Sequence, residues 1–105
     1  MIARVWHGVT LTAQAQAYVE YLTETGVRDS RATPGNLGVY VLNRTEGEMA
    51  HFLFISLWES MQAIESFAGP EIEQARYYPA DREFLVELEP TVSHYEVCVQ
   101  DIPVG

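Results

Sequence analysis

The stretch "HFLFISLWES", residues 51–60, contains the run that decides the fold. From Phe52 to Trp58 only Ser56 is polar. A strand with one face in water should alternate between apolar and polar side chains. We therefore expect a strand that is covered on both faces, and the remaining sequence has to supply the second cover.

Composition limits what this cover can be. The 105 residues are 48% hydrophobic and 20% charged, which predicts one folded domain over 1–105. The net charge of −9 disfavours nucleic acid and anionic lipid as partners. Arg4 and His7 interrupt the first apolar residues, which argues against a signal peptide. No apolar run is long enough to span a membrane, and Cys98 is the single cysteine. These features favour a cytoplasmic protein that has no internal disulfide.

Upstream of this run, the sequence predicts two strands and a helix. "IARVWHGV" (2–9) is typical of a strand, and a helix should follow over about 12–26, with Gly26 as its stop. "LGVYVLNR" (37–44) predicts a second strand, and "TEGE" (45–48) a hairpin turn into the third.

Downstream of it, Ser60 should cap a second helix that carries Met61, Ile64 and Phe67 (or Ala68) on one apolar stripe and ends at Gly69. The helix should restart at Pro70 through "PEIEQARYY", and "ADREFLVELE" should add a helical turn or irregular cover. "TVSHYEVCV" (91–99) is typical of a last strand.

The order β-α-β-β-α-β predicts an α+β, ferredoxin-like fold, with a four-stranded antiparallel sheet in the order 4-1-3-2. Both helices would lie on one face of that sheet. The other face would expose apolar side chains of strands two and three, at a cost of about 25 cal/mol per Å². We therefore predict a homodimer that packs through this sheet face.

The chain resembles the antibiotic biosynthesis monooxygenase family of small dimeric α/β-barrel proteins. The resemblance runs from "MIARVWHGVTLT" through "PGNLGVYVL" and "LFISLWESMQAIESFAG" to "TVSHYEV", and it is sharpest around Trp58-Glu59-Ser60. It implies a monooxygenase that oxidises a small aromatic or polyketide-type phenolic substrate with O2 and needs no cofactor. The family also contains haem-degrading members, whose pocket uses an asparagine, a tryptophan and a histidine; their positions fall on His7, Trp58 and near Tyr77.

Oxidation without a cofactor requires a base, a donor for the substrate anion and an apolar pocket. We predict His7 and Tyr77 as the catalytic residues, because histidine titrates near neutral pH and a tyrosine hydroxyl can donate. The substrate-binding set comprises Trp58, Phe54, Arg76 and Tyr78. Three alternatives stay open: His7 bonded to backbone or water, Trp58 as plain packing, and Arg76 paired with Glu73.

The three histidines also raise the possibility of a metal site. Strands one and three are expected to be parallel neighbours, with His7 late in its strand and His51 early in its own, so the two residues would be offset by roughly 10 Å along the strands. We therefore expect no metal and no other cofactor. Two rival functions remain: a non-catalytic module that binds an aromatic ligand or haem, and a purely structural dimer without a usable pocket.

Overall fold

The computed structural model describes residues 1–104 and contains a single four-stranded sheet in the order β2-β3-β1-β4. Its strands are β1 (Ile2–Leu11), β2 (Asn36–Glu46), β3 (Met49–Trp58) and β4 (Ser93–Glu96), and every neighbouring pair is antiparallel. The helices lie on one face of this sheet. The predicted α+β, ferredoxin-like architecture and strand order are therefore confirmed.

The relative direction of strands one and three was wrongly predicted. β1 and β3 run antiparallel, with His7 opposite Leu53 and His51 opposite Val9. The crossover from β1 makes β2 parallel to it, and the hairpin then reverses the chain into β3. The expected offset between His7 and His51 therefore does not exist, and their ring nitrogens Nε2 and Nδ1 lie 3.1 Å apart.

The first helical segment is longer than predicted. A 3₁₀ turn (Thr12–Gln14) leads into α1 (Ala15–Leu22), a π-helical turn (Thr23–Val27) and α2 (Arg28–Ala32). Gly26 is therefore not a stop. It is buried in the π-helical turn, and an added Cβ there would lie 3.1 Å from the Phe54 ring, so the glycine permits close contact between helix and sheet.

The second helical segment begins and ends as predicted. α3 (Met61–Ala68) is capped by Ser60, whose Oγ accepts from the Ala63 amide at 3.1 Å, and it ends at Gly69 with a φ of 87°. Ile64 is fully buried, whereas Met61 is exposed, so the predicted apolar stripe is only partly correct.

Residues 70–80 contain no helix, contrary to the prediction of a restart at Pro70. Their backbone instead bonds to other parts of the chain, since the Ala75 amide donates to Pro90 O and the Val92 amide to Glu73 O. We call residues 70–80 the cover segment. The short α4 (Asp81–Phe84) follows it, and β4 is shorter than the predicted strand over 91–99.

Alternation along β1 and β3 assigns their side chains to two faces. Ala50, Phe52, Phe54, Ser56 and Trp58 of β3 are buried beneath the helices, as are alternate residues of β1. The opposite face carries large apolar side chains that this chain leaves partly exposed, among them Leu11, Tyr40, Leu42, Met49 and Leu53. The double-sided apolar character of "FLFISLW" thus reflects one face beneath the helices and one open face.

Gly8 provides the space for the Trp6 indole. A Cβ added at Gly8 would lie 2.1 Å from Trp6 Cη2, which is far inside van der Waals contact. Gly8→Ala should therefore displace the Trp6 ring and lower the free energy of unfolding by about 1–3 kcal/mol. Urea denaturation measures this loss.

The matched control is the same substitution in a Trp6→Leu background, where the clash is absent. The cost of Gly8→Ala should then shrink to less than half. An equal cost in both backgrounds would show that the indole is not the group that requires glycine.

Candidate functional site

A small, partly open cavity of about 50 Å³ lies between the sheet and the cover segment. Its walls are mainly aromatic: Trp6, Tyr18, Phe54, Phe67, Tyr77 and Tyr78. Three charged residues also line it, namely Arg4, Arg76 and Asp81. An apolar cavity with a few polar groups is the usual form of a small-molecule site, and we call this cavity the aromatic pocket.

Arg4 and Trp6 enter the pocket from β1, where they are buried on the helix-covered face. The Trp6 indole Nε1–H donates to the Tyr77 hydroxyl at 3.1 Å, and the two rings meet edge to face. The Arg4 guanidinium donates to the Ile72 and Gln74 carbonyl oxygens of the cover segment, the latter at 3.0 Å. β1 therefore fixes both the floor of the pocket and the cover above it.

Asp81 is the buried carboxyl of the pocket, with only 3% of its surface exposed. Its Oδ1 accepts from the Tyr18 hydroxyl at 2.9 Å, and its Oδ2 accepts from the Tyr78 amide at 2.6 Å. Burial raises the pKa of Asp81 above its usual value, against the opposing effect of these two hydrogen bonds. Burial and the adjacent Asp81 charge raise the pKa of Tyr18 as well. Tyr18 therefore stays protonated and donates a hydrogen bond to Asp81.

Tyr77 lines the pocket, and its hydroxyl proton is already engaged. The hydroxyl donates to the Glu89 carbonyl oxygen at 2.5 Å and accepts from Trp6. Burial raises the pKa of Tyr77. The group is therefore neutral, and its single donor is not free for a substrate anion in this conformation.

Arg76, Tyr78 and Phe54 also line the pocket. The Arg76 guanidinium stacks 4.7 Å from the Phe67 ring centroid and lies 3.6 Å from Asp29 Oδ2. Its carboxylate neighbour is thus Asp29 rather than the expected Glu73. The Tyr78 hydroxyl donates to the same Asp29 oxygen at 2.6 Å.

Trp58 lies one layer behind the pocket rather than in its wall. It is fully buried, its indole N–H donates to Ser56 Oγ at 2.8 Å, and its ring packs on Phe67 at 5.5 Å. Ser56 and Phe67 themselves line the pocket. Trp58 can therefore position these two residues without touching a ligand.

His7 is on the opposite face of the sheet, which corrects its assignment to the pocket. Its Nδ1 lies 2.5 Å from Glu89 Oε2, and its ring stacks on His51. His51 Nε2 in turn lies 3.4 Å from Glu46 Oε2. Because β-strand side chains alternate between faces, the β1 side chains that line the pocket are those of Arg4 and Trp6, and neither can act as the base expected of His7.

The other possible sites in the described part of the chain are weaker. No group of three or more His, Cys, Asp or Glu residues among residues 1–104 is placed to hold a metal ion. A wider depression of about 340 Å³ beside β4 is lined by Met1, Ile2, Glu59, Met61, His94, Tyr95 and Glu96. Its one tyrosine is largely exposed, and it lacks the aromatic walls of the aromatic pocket. No helix of residues 1–104 is long and apolar enough to cross a bilayer.

Solved structures with a similar fold include a proposed antibiotic biosynthesis monooxygenase of Nitrosomonas europaea. It is 14% identical with a TM-score of 0.67, and the match covers 94% of this chain and 100% of that one. The heme-degrader MhuD of Mycobacterium tuberculosis, solved with two hemes in its active site, is 22% identical with a TM-score of 0.58, over 96% and 99% of the two chains. At these identities the similarity shows the fold alone.

The sequence comparisons are more specific about family. No curated protein matches the chain, but the sequence model of the family described as antibiotic biosynthesis monooxygenase matches residues 9–75. That range includes α1 to α3 and ends before Tyr77 and Asp81. The chain belongs to the antibiotic biosynthesis monooxygenase family.

Proposed function

We propose that the protein is a cofactor-independent monooxygenase that oxidises a small phenolic substrate with O2 in the aromatic pocket. The observation that supports this most is Asp81, a buried carboxyl of raised pKa in an otherwise aromatic cavity. A carboxylate with a raised pKa is a stronger base than one in water. Asp81 replaces His7 as the base of the proposed reaction.

In the proposed reaction, Asp81 takes the proton of the substrate hydroxyl, and Tyr18 holds the carboxylate in position. The resulting anion is electron-rich and transfers electrons to O2, which forms a C–O bond to a ring carbon as a peroxide. Protonated Asp81 returns its proton to the peroxide oxygen. The hydroperoxide then loses water, with the second hydrogen coming from the same ring carbon, and one oxygen atom stays on the substrate as a carbonyl group. The aromatic walls exclude bulk water and admit O2.

The cavity volume limits the substrate. An engineered cavity of about 150 Å³ holds benzene, whereas the aromatic pocket has about 50 Å³. Even one ring therefore requires some movement of the cover segment or its tyrosines, and a polycyclic polyketide requires much more. We favour a monocyclic substrate.

A non-catalytic haem-binding module is the alternative function, and the two hemes in the similar heme-degrader motivate it. Haem would need far more space than the pocket offers. Tyr77 would also have to give up its hydrogen bond to Glu89 in order to bind iron. Added haem that produces a Soret band and a stoichiometric complex would favour this alternative.

We further propose that a second copy of the chain covers the open sheet face. Tyr40 is 50% exposed there, Leu42 follows it two residues along β2, and Leu42 pairs with Leu53 of β3. Single chains rarely leave such a contiguous apolar surface in water, and a symmetric pair would bury it on both copies. A cytoplasmic location and the absence of metal, cofactor and nucleic acid remain predictions from the sequence.

Asp81→Asn should reduce turnover of a phenolic substrate by about 10²-fold or more, because a positioned base contributes that much. Oxygen consumption with a panel of monocyclic phenols measures turnover. His7→Ala is the matched control and should change turnover less than threefold, since His7 lies on the other face. A large loss in His7→Ala with little loss in Asp81→Asn would reverse these assignments.

The same carboxyl should affect stability in a pH-dependent way. Because its folded pKa is raised above the unfolded value of about 3.9, the folded state binds this proton more tightly. The contribution of Asp81 to stability should therefore be lost as pH rises above about 4 through the folded pKa.

Urea denaturation of the wild type and Asp81→Asn at pH values between about 3.5 and 7 tests the sign. The free energy of unfolding of the wild type, relative to the variant, should decrease with increasing pH. A relative increase would mean that the hydrogen bonds from Tyr18 and Tyr78 lower the folded pKa more than burial raises it.

Leu53→Lys and Ile55→Lys should abolish the proposed dimer, because an unpaired charge at a buried interface is costly. Light scattering should give twice 11.9 kDa for the native chain and a monomeric or unfolded variant. Glu65→Lys, at an exposed position on α3, is the control and should leave the dimer intact. A native chain that scatters as a monomer at micromolar concentration would refute the proposal.

A further inference from the structure

We infer that Arg4 and Ser56 form a carboxylate-binding subsite, so that the ligand of the aromatic pocket is a monocyclic hydroxylated aromatic carboxylate. This inference rests on the proposed function only for the identity of the pocket as the substrate site. It adds a substrate class that neither the oxygenase chemistry nor the family assignment specifies.

Arg4 is a buried cation without an anion. Only 4% of its surface is exposed, and no carboxylate of residues 1–104 lies within ion-pair distance of it. Its partners are the Ile72 and Gln74 carbonyls and His94 Nε2 at 3.1 Å. Buried charges are usually paired with an opposite charge, and the residue lines a cavity that can supply one.

The charge persists at neutral pH. Burial lowers the pKa of Arg4 to about 10, still well above 7. Burial and the neighbouring Arg4 charge lower the pKa of His94, so His94 is neutral and accepts from Arg4 instead of repelling it. An anion entering the pocket would therefore meet an unneutralised guanidinium.

Ser56 supplies a second donor at the same place. It pairs directly with Arg4 across β1 and β3, on the helix-covered face, so the two Cβ atoms lie about 5 Å apart. Its Oγ accepts from the Trp58 indole, and within residues 1–104 its own hydroxyl proton has no acceptor. Ser56 is 1% exposed and lines the pocket, so this proton is available to a ligand oxygen.

The charges of the pocket favour one carboxylate and place it at one end. Asp81 is the only acidic residue in the lining, and it is hydrogen-bonded to Tyr18, whose ring packs on Phe52. Arg4 lies at the other end, beside Ser56, which is four residues further along β3 than Phe52. Four residues of strand span about 13 Å. A ligand with a carboxylate at the Arg4 end can thus present a hydroxyl to Asp81, with its ring between Trp6 and Phe54.

A second role for Arg4 has to be separated by experiment. Its bonds to the Ile72 and Gln74 carbonyls hold the cover segment on the sheet, and a purely structural arginine would make the same contacts. The two roles differ in one observable, which is the preference of the native protein for a charged ligand over its neutral analogue.

The experiment is calorimetric titration of the native protein with 4-hydroxybenzoate and with the uncharged 4-hydroxybenzamide. We expect 4-hydroxybenzoate to bind at least about 10-fold more tightly, because a charge-assisted bond to a buried guanidinium is replaced by a neutral one. Equal affinities, tighter binding of the amide, or no binding of either compound would overturn the inference.

Substitutions then identify which residues cause the preference for the charged ligand. Arg4→Gln should remove it, Arg4→Lys should retain part of it, and Ser56→Ala should reduce it severalfold. Exposed Arg82 provides the matched control, and Arg82→Gln should leave the preference unchanged although it removes the same charge. If Arg4→Gln does not fold, retention by Arg4→Lys and loss in Ser56→Ala still test the subsite. If Ser56→Ala keeps the full preference for 4-hydroxybenzoate, Ser56 is not part of the carboxylate subsite.

Because binding is measured without O2 turnover, the two proposals fail separately. A charge preference without oxidation would contradict the oxygenase and leave the subsite intact. Oxidation of neutral phenols without any charge preference would contradict the subsite and leave the oxygenase intact.

Discussion

The antiparallel pairing of β1 with β3 determines which side chains can meet in this protein. It places Arg4 beside Ser56 and Trp6 beside Phe54 under the helices, and by the same alternation it places His7 on the open face. A shift of one residue would exchange all of these positions. The aromatic pocket, the buried cation and the histidine pair are therefore consequences of one register.

Much of the fold could be predicted from the sequence because its signals are local. Ser60 and Gly69 bound α3 through an N-cap hydrogen bond and a positive φ, and Gly47, with a φ of 60°, begins the two-residue turn between β2 and β3. Gly26 and the cover segment were predicted wrongly because tertiary contacts decide them. Phe54 needs the space at Gly26, and partners outside the segment bond to the carbonyl groups of residues 72–74 and to the Ala75 amide.

The site was harder to predict because both faces of the sheet are apolar. In β1, His7 shares its face with Val5 and Val9, whereas Arg4 and Trp6 share the other face with Gly8. The residue types alone do not show which of the two faces lines the pocket. The small residue Gly8 was the available signal, since a large indole on the same face needs such a space. Asp81 gave no signal in the sequence, because it became a buried carboxyl only when Tyr18 and the Tyr78 amide closed around it.

Whether a small aromatic ligand binds on the Trp6 side of the sheet can be measured directly, because the chain contains two tryptophans. Their indole N–H groups should give two separate NMR signals during titration with 4-hydroxybenzoate. Binding in the aromatic pocket should shift the Trp6 signal strongly, because its N–H faces Tyr77 in the pocket, and the Trp58 signal less, because its N–H contacts the ligand only through Ser56. A titration that shifts neither indole signal but perturbs the His7 and His51 ring protons would place the ligand on the open face and contradict the proposed site.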